Sequence, residues 1–204
     1  MLRRAGGYSF LGMRVEIAFE LAEQDEALEL PARPDDSSAA CAVLRNDPRA
    51  LDRLEIAQRN PPLRAFLAAV NGEDSVFSTA RFRSAAREPA AAPESEAHEF
   101  ASEIALVFAA VGLNFDRIHY AELAERLREL LTSGAPDALR AALRVRRCRF
   151  KDQGRWGLCL ALELASHGAT AQQAELRWSL GLARLQRALL FLSRAIRHQI
   201  GQNS

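Results

Sequence analysis

Residues 14–21, RVEIAFEL, alternate Val15, Ile17, Phe19 and Leu21 with Arg14, Glu16, Ala18 and Glu20. A period of two predicts a half-buried strand. Residues 75–83, SVFSTARFR, also read as a strand, although Ala80 and Phe82 break the strict alternation. Three short helical patterns lie between these runs. Asp36-Ser37-Ser38 is positioned to cap the first, which runs through Leu44. Asp47-Pro48 starts the second, with proline at the first helical position. Asn60-Pro61 starts the third, which continues through Val70 and stops at Asn71-Gly72. Together these predict a small α+β unit over residues 1–84.

Residues 85–97, AAREPAAAPESEA, carry little that is worth burying and read as a linker. Beyond them the composition of Ala, Leu, Arg and Glu predicts helices at about 96–111, 119–132, 136–148, 155–166 and 171–200. Thr170 followed by Gln173 is a capping-box start for the last of these. Within it Trp178, Leu182, Leu185, Leu189, Leu192 and Ile196 recur at alternating steps of four and three, one continuous seam. Leu180, Leu190 and Phe191 fall off that seam and mark a second apolar face for a protein contact. The expected fold class is therefore mainly α: an N-terminal α+β unit, then a helical bundle over 98–204 closed by a long amphipathic helix.

Charge changes this picture in one respect. The net charge is +1, yet residues 1–137 hold 15 basic and 23 acidic residues while 138–204 hold 12 basic and 3 acidic. The run RVRRCRFKDQGRW, residues 144–156, packs six basic residues into thirteen. A helix C-terminus favours cations by ~0.3–1 kcal/mol each, which accounts for the early arginines but not for Lys151 or Arg155. The run predicts a loop-centred contact site for an anionic partner, with Arg146, Arg149, Lys151 and Arg155 exposed and Phe150 and Trp156 packed inward. Arg187 and Arg194 of the last helix extend the same reading to DNA or RNA backbone. The competing partner is internal: the acidic stretch ELAEQDEALEL, residues 20–30. All but one of the 27 basic residues are arginine, a bias that looks like a GC-rich bacterial coding sequence, so only their placement is informative.

Candidate chemistry is sparse. His98, His119, His167 and His198 show no helical ligand spacing, and Cys41, Cys148 and Cys159 are odd in number and far apart. The expectation is no metal, no cofactor, no disulfide framework and a reducing cytoplasm. No phosphate-cradling glycine loop or nucleophile elbow is present, and Arg194 with His198 is only superficially like the Arg–His motif of the HEPN nucleases. Charged residues interrupt every apolar run, which predicts no membrane helix. The stretch 154–178 resembles in rhythm a helical segment of the large subunit of archaeal and eukaryotic primases. The matching positions are Gly154, Arg155, Gly168, Thr170, Gln173, Ala174 and Trp178, over about an eighth of the chain. That family's cluster cysteines have no counterparts, so no iron–sulfur cluster is implied. The expected function is a non-catalytic assembly subunit of a bacterial complex, self-associating or bound to another protein, with nucleic-acid binding as the alternative.

Overall fold

A computed structural model describes residues 11–23, 25, 27–30, 44–87, 96–133 and 135–202. Its elements are β1 (Leu11–Glu20), β2 (Leu28–Leu30), α1 (Glu55–Arg59), α2 (Pro61–Asn71), β3 (Phe77–Arg87), β4 (His98–Phe108), α3 (Arg117–Thr132), β5 (Ala135–Phe150), β6 (Arg155–Gly168) and α4 (Ala171–Gln202). Short 3-10 turns cover Pro48–Arg53, Val111–Phe115 and Lys151–Gln153. The architecture is a mixed α/β sandwich, not the mainly α bundle that composition predicts. One six-stranded sheet runs in the order β1-β5-β6-β4-β3, with β2 also on β5.

The segments expected as helices at 96–111, 136–148 and 155–166 are the strands β4, β5 and β6. In each, the side chains that reach the main core fall on every second residue. Phe100, Ile104, Leu106 and Phe108 of β4, Leu139, Leu143 and Val145 of β5, and Leu158, Leu160, Leu162 and Leu164 of β6 join the main core. The residues between them, such as Glu103, Arg144 and Glu163, belong to the opposite face. Alanine, leucine and arginine favour helices, but β6 lies between β4 and β5, and ladder pairing on both sides overrides propensity. The primase-like rhythm of 154–178 goes with the same correction, because its first half is a turn and a strand.

β1 runs parallel to β5, with Glu20 opposite Arg146, and β2 resumes on the same edge with Leu28 opposite Cys148. The other neighbours are antiparallel. The sheet thus draws strands from both sides of residues 85–97. Within that stretch Ala85–Arg87 end β3, and β3 and β4 pair from Phe77↔Phe108 to Arg87↔Glu99. Residues 88–95 lie outside the described residues, as do the helix cap expected at 36–38 and Cys41. The broken alternation at Ala80 and Phe82 is a β-bulge between Thr79 and Arg81. Asn71 secures that bend: its Oδ1 accepts from the Thr79 N–H (2.8 Å) and its Nδ2 donates to the Leu67 carbonyl (2.8 Å).

The helices cover one face. Asn60 caps α2 by accepting from the Leu63 N–H (3.0 Å), and Asp116 caps α3 by accepting from the Ile118 N–H (2.8 Å). At the start of α4 Thr170 Oγ1 accepts from the Gln173 N–H (3.2 Å) while Gln173 reaches back to the Ala169 N–H (2.8 Å). The α4 seam lies in the core, with Trp178, Leu182 and Leu189 fully buried. Indole Nε1 of Trp178 donates to Ser102 Oγ (2.8 Å), so the polar handle of the ring is satisfied. From there α4 drifts towards β3, where Ser193 Oγ accepts from the Val76 N–H (3.2 Å) and Arg197 pairs with Asp74 (3.2 Å).

Candidate functional site

The face that no helix among the described residues covers, the open face, is built from the other half of each alternation. Ala18, Ala101, Ala105, Ala142, Ala161 and Ala165 are small enough for long side chains to lie flat between them. Across this floor Glu20 accepts from Arg144 (2.5 Å) and Arg146 (2.6 Å), and Arg146 also reaches Glu103 (2.9 Å). Arg144 bonds Glu163 (2.8 Å), and Arg81 pairs with Glu103. Three arginines thus meet three glutamates. Burial works to raise the Glu20 carboxyl, but its bonds to Arg146 and Arg144 outweigh that and hold it below the usual carboxylate range. Glu103 follows the same pattern: burial raises it, and Arg81 and then Arg146 bring it below its ordinary value. Arg144 is raised, first by its bond to Glu20.

Arg146 was expected at the surface, and it is buried in this network at 9% exposure. The physical reason is parity. On a strand, residues 144, 146 and 148 share the open face, whereas 145, 147 and 149 share the other. Lys151 is exposed but pairs with Glu29 (2.9 Å). The acidic stretch 20–30 therefore supplies carboxylates to Arg144, Arg146 and Lys151 through Glu20 and Glu29.

The remaining members of the basic run sit at the hairpin end. Lys151–Gln153 form the turn, closed by Gly154 in the left-handed region (φ 59°). Phe150 is buried and meets the Phe115 ring edge-on at 5.4 Å. Trp156 was expected to pack inward with the β6 leucines, but it is 49% exposed, with Arg149 opposite it in the ladder in place of an apolar neighbour. Arg147 lies over its indole at 4.4 Å from the centroid and Arg149 at 5.9 Å, while Arg155 lies over Phe115 at 4.2 Å. Phe115 is held there from behind. Asn114 accepts from the Phe108 N–H (2.8 Å) and from the Tyr120 hydroxyl (2.6 Å), and donates to the Phe108 carbonyl (2.9 Å). Gly157 leaves room for this turn, since a Cβ would come within 2.7 Å of the Asn114 carbonyl oxygen. Arg147 and Phe115 were missed in the sequence; the apolar odd positions 139–145, whose face Arg147 continues, were the signal that separates Arg147 from Arg146.

A third region is the outward side of α4. Leu180 and Phe191 are 49% and 60% exposed, and Leu176 joins them at 62%. Leu190 is only half-buried, and Arg187 and Arg194 are exposed beside the apolar residues. Spacing puts Leu176, Leu180, Arg187, Phe191 and Arg194 on one stripe. The neighbouring helix α3 exposes Ile118, Glu122, Glu125 and Glu129 at the same kind of spacing. Between the two helices a groove of about 210 Å³ has a floor of Phe108, Leu123, Leu192 and Ile196.

Cys148 and Cys159 are buried free thiols in a small apolar cluster with Leu28, Leu30 and Val107. Contact with Cys159 and burial both push the Cys148 thiol far up, which disfavours the reactive thiolate. Among the described residues no group of three or more His, Cys, Asp or Glu is placed to hold a metal ion. No helix among them is long and apolar enough to cross a membrane. No protein-family model, no curated protein and no solved structure matches the chain.

Proposed function

We propose that this protein is a non-catalytic assembly subunit that associates with a second copy of itself through the outward sides of α3 and α4. The observation that carries this reading is the α4 stripe: three large apolar side chains stand in water on a helix whose other side is wholly committed to the core. An apolar patch of this kind, flanked by charge, marks a contact surface. Its charge has a complement on the same molecule. Arg187 and Arg194 of α4 are basic, and Glu122 and Glu129 of the adjacent α3 are acidic, while Glu125 is engaged by Arg128 and Arg126 lies in the groove beside Glu122. A two-fold axis between the helices sets each stripe against its opposite, the self-complementary arrangement a symmetric dimer requires.

The mass of the protein in solution tests this. A dimer is expected at micromolar concentration, and Leu180→Glu with Phe191→Lys should yield folded monomers. Reversing Arg187 and Arg194 to Glu should weaken the dimer, and adding Glu122→Arg with Glu129→Arg should restore it. A monomeric wild type, or reversal without rescue, overturns the reading.

A further inference from the structure

We propose that the end of the β5–β6 hairpin binds single-stranded nucleic acid, with Arg147, Arg149 and Arg155 on its phosphates and Trp156 stacking on a base. This site is separate from the α3–α4 surface and does not depend on it. The fold sorts the basic run into two sets. Arg144, Arg146 and Lys151 have carboxylate partners within the chain. Among the described residues none pairs with Arg147, Arg149 or Arg155, which lie on aromatic rings instead. A guanidinium over a ring satisfies its weakly hydrated face and keeps the N–H donors at its edge available for acceptors. Arg147 and Arg149 are thus held ready beside Trp156 on one face of the hairpin end, and Arg155 with Phe115 on the other, so a single strand that meets all three passes around the tip of the hairpin. The nearby acids do not cancel them: Glu29, opposite Arg149 in the ladder, is engaged by Lys151, Asp116 is occupied in capping α3, and Asp152 stands exposed in the turn.

Trp156 decides the class of polyanion. With Arg147 over its ring, the indole is still 49% exposed. An acidic polypeptide has no use for an open aromatic face, whereas a nucleobase stacks on one. A duplex keeps its bases within the helix and presents phosphate alone. The observations therefore favour a single strand over a duplex or an acidic protein.

The test is fluorescence anisotropy with labelled oligothymidylate and oligouridylate of about fifteen nucleotides, alongside a duplex of similar length and a labelled oligoglutamate. Binding of the single strands is expected at low salt, with a log–log salt slope of roughly −2 for three phosphate contacts and quenching of the exposed tryptophan. Trp156→Ala should weaken binding about tenfold and Trp156→Phe much less. Arg147→Ala with Arg149→Ala should weaken it and flatten the slope, while Arg187→Ala with Arg194→Ala on α4 should change nothing. Thermal melts confirm that each variant is folded. Absence of binding by the wild type overturns the proposal, as does binding that survives the hairpin changes or is lost with the α4 pair. A duplex or oligoglutamate bound as tightly as the single strands overturns the assignment to nucleobase and phosphate together.

Discussion

On β5 the arginines at 144 and 146 and those at 147 and 149 are the same residue type, on one strand, within six positions of each other. The first two end in a lattice of carboxylates over an alanine floor, and the second two end on an indole in water. The same division separates the two faces of the whole sheet. One is sealed by leucines under α2, α3 and α4, and the other by ion pairs between long side chains. A dense basic run is therefore not one surface. The pleat deals its members alternately to two environments, and a charge's role follows from the face it receives.

The strongest test of the helix-covered face is Leu189→Ala. Leu189 is fully buried in the α4 seam, and truncation should cost about 2–5 kcal/mol. Denaturant unfolding would show it, and a loss of a few tenths would mean that α4 is not core. On the open face, Arg146→Ala leaves Glu20 and Glu103 in partial burial without their shared cation. The expected loss is of order 2 kcal/mol, less than for a fully buried pair. A loss close to zero would show that the lattice contributes nothing and would erase the contrast between the faces.

Acid sharpens the same contrast. Glu20 and Glu103 are held below their ordinary value of 4.5 in the folded protein. Their contribution is present above that value and is lost as pH falls through the lower folded values. The melting temperature should therefore drop on acidification below about pH 4.5, and less so in a Glu20→Gln, Glu103→Gln variant, already lower at neutral pH. An unchanged acid limb in that variant would remove these two carboxylates as its source. The smallest effect belongs to the hairpin end. Arg149→Ala should alter stability by no more than about 0.5 kcal/mol, against the much larger loss for Arg146→Ala three residues away. Equal losses would mean that Arg149, too, has a structural partner.

Much was legible where local chemistry and tertiary setting agree. Alternation placed β1 and β3, down to the irregularity that is the Thr79–Arg81 bulge. Asn60, Thr170 and the α4 seam located α2 and α4, because a cap and a 3.6-residue period are local properties. Asp152-Gln153-Gly154 was legible as a turn, and residues 20–30 as a possible internal partner of the basic run. The three central segments were not. Their alternation was present in the sequence, but alanine, leucine, arginine and glutamate are strong helix formers. Only pairing with both neighbours, Leu162 with Leu143 on one side and Ile104 on the other, makes the extended form the lower in free energy. Once strands replace helices, 146 and 147 point in opposite directions. The sequence alone determined that this chain concentrates arginine at 144–155; only the tertiary structure decided which of those arginines meet glutamate and which remain over aromatic rings, because the face of a strand is set by register and not by composition.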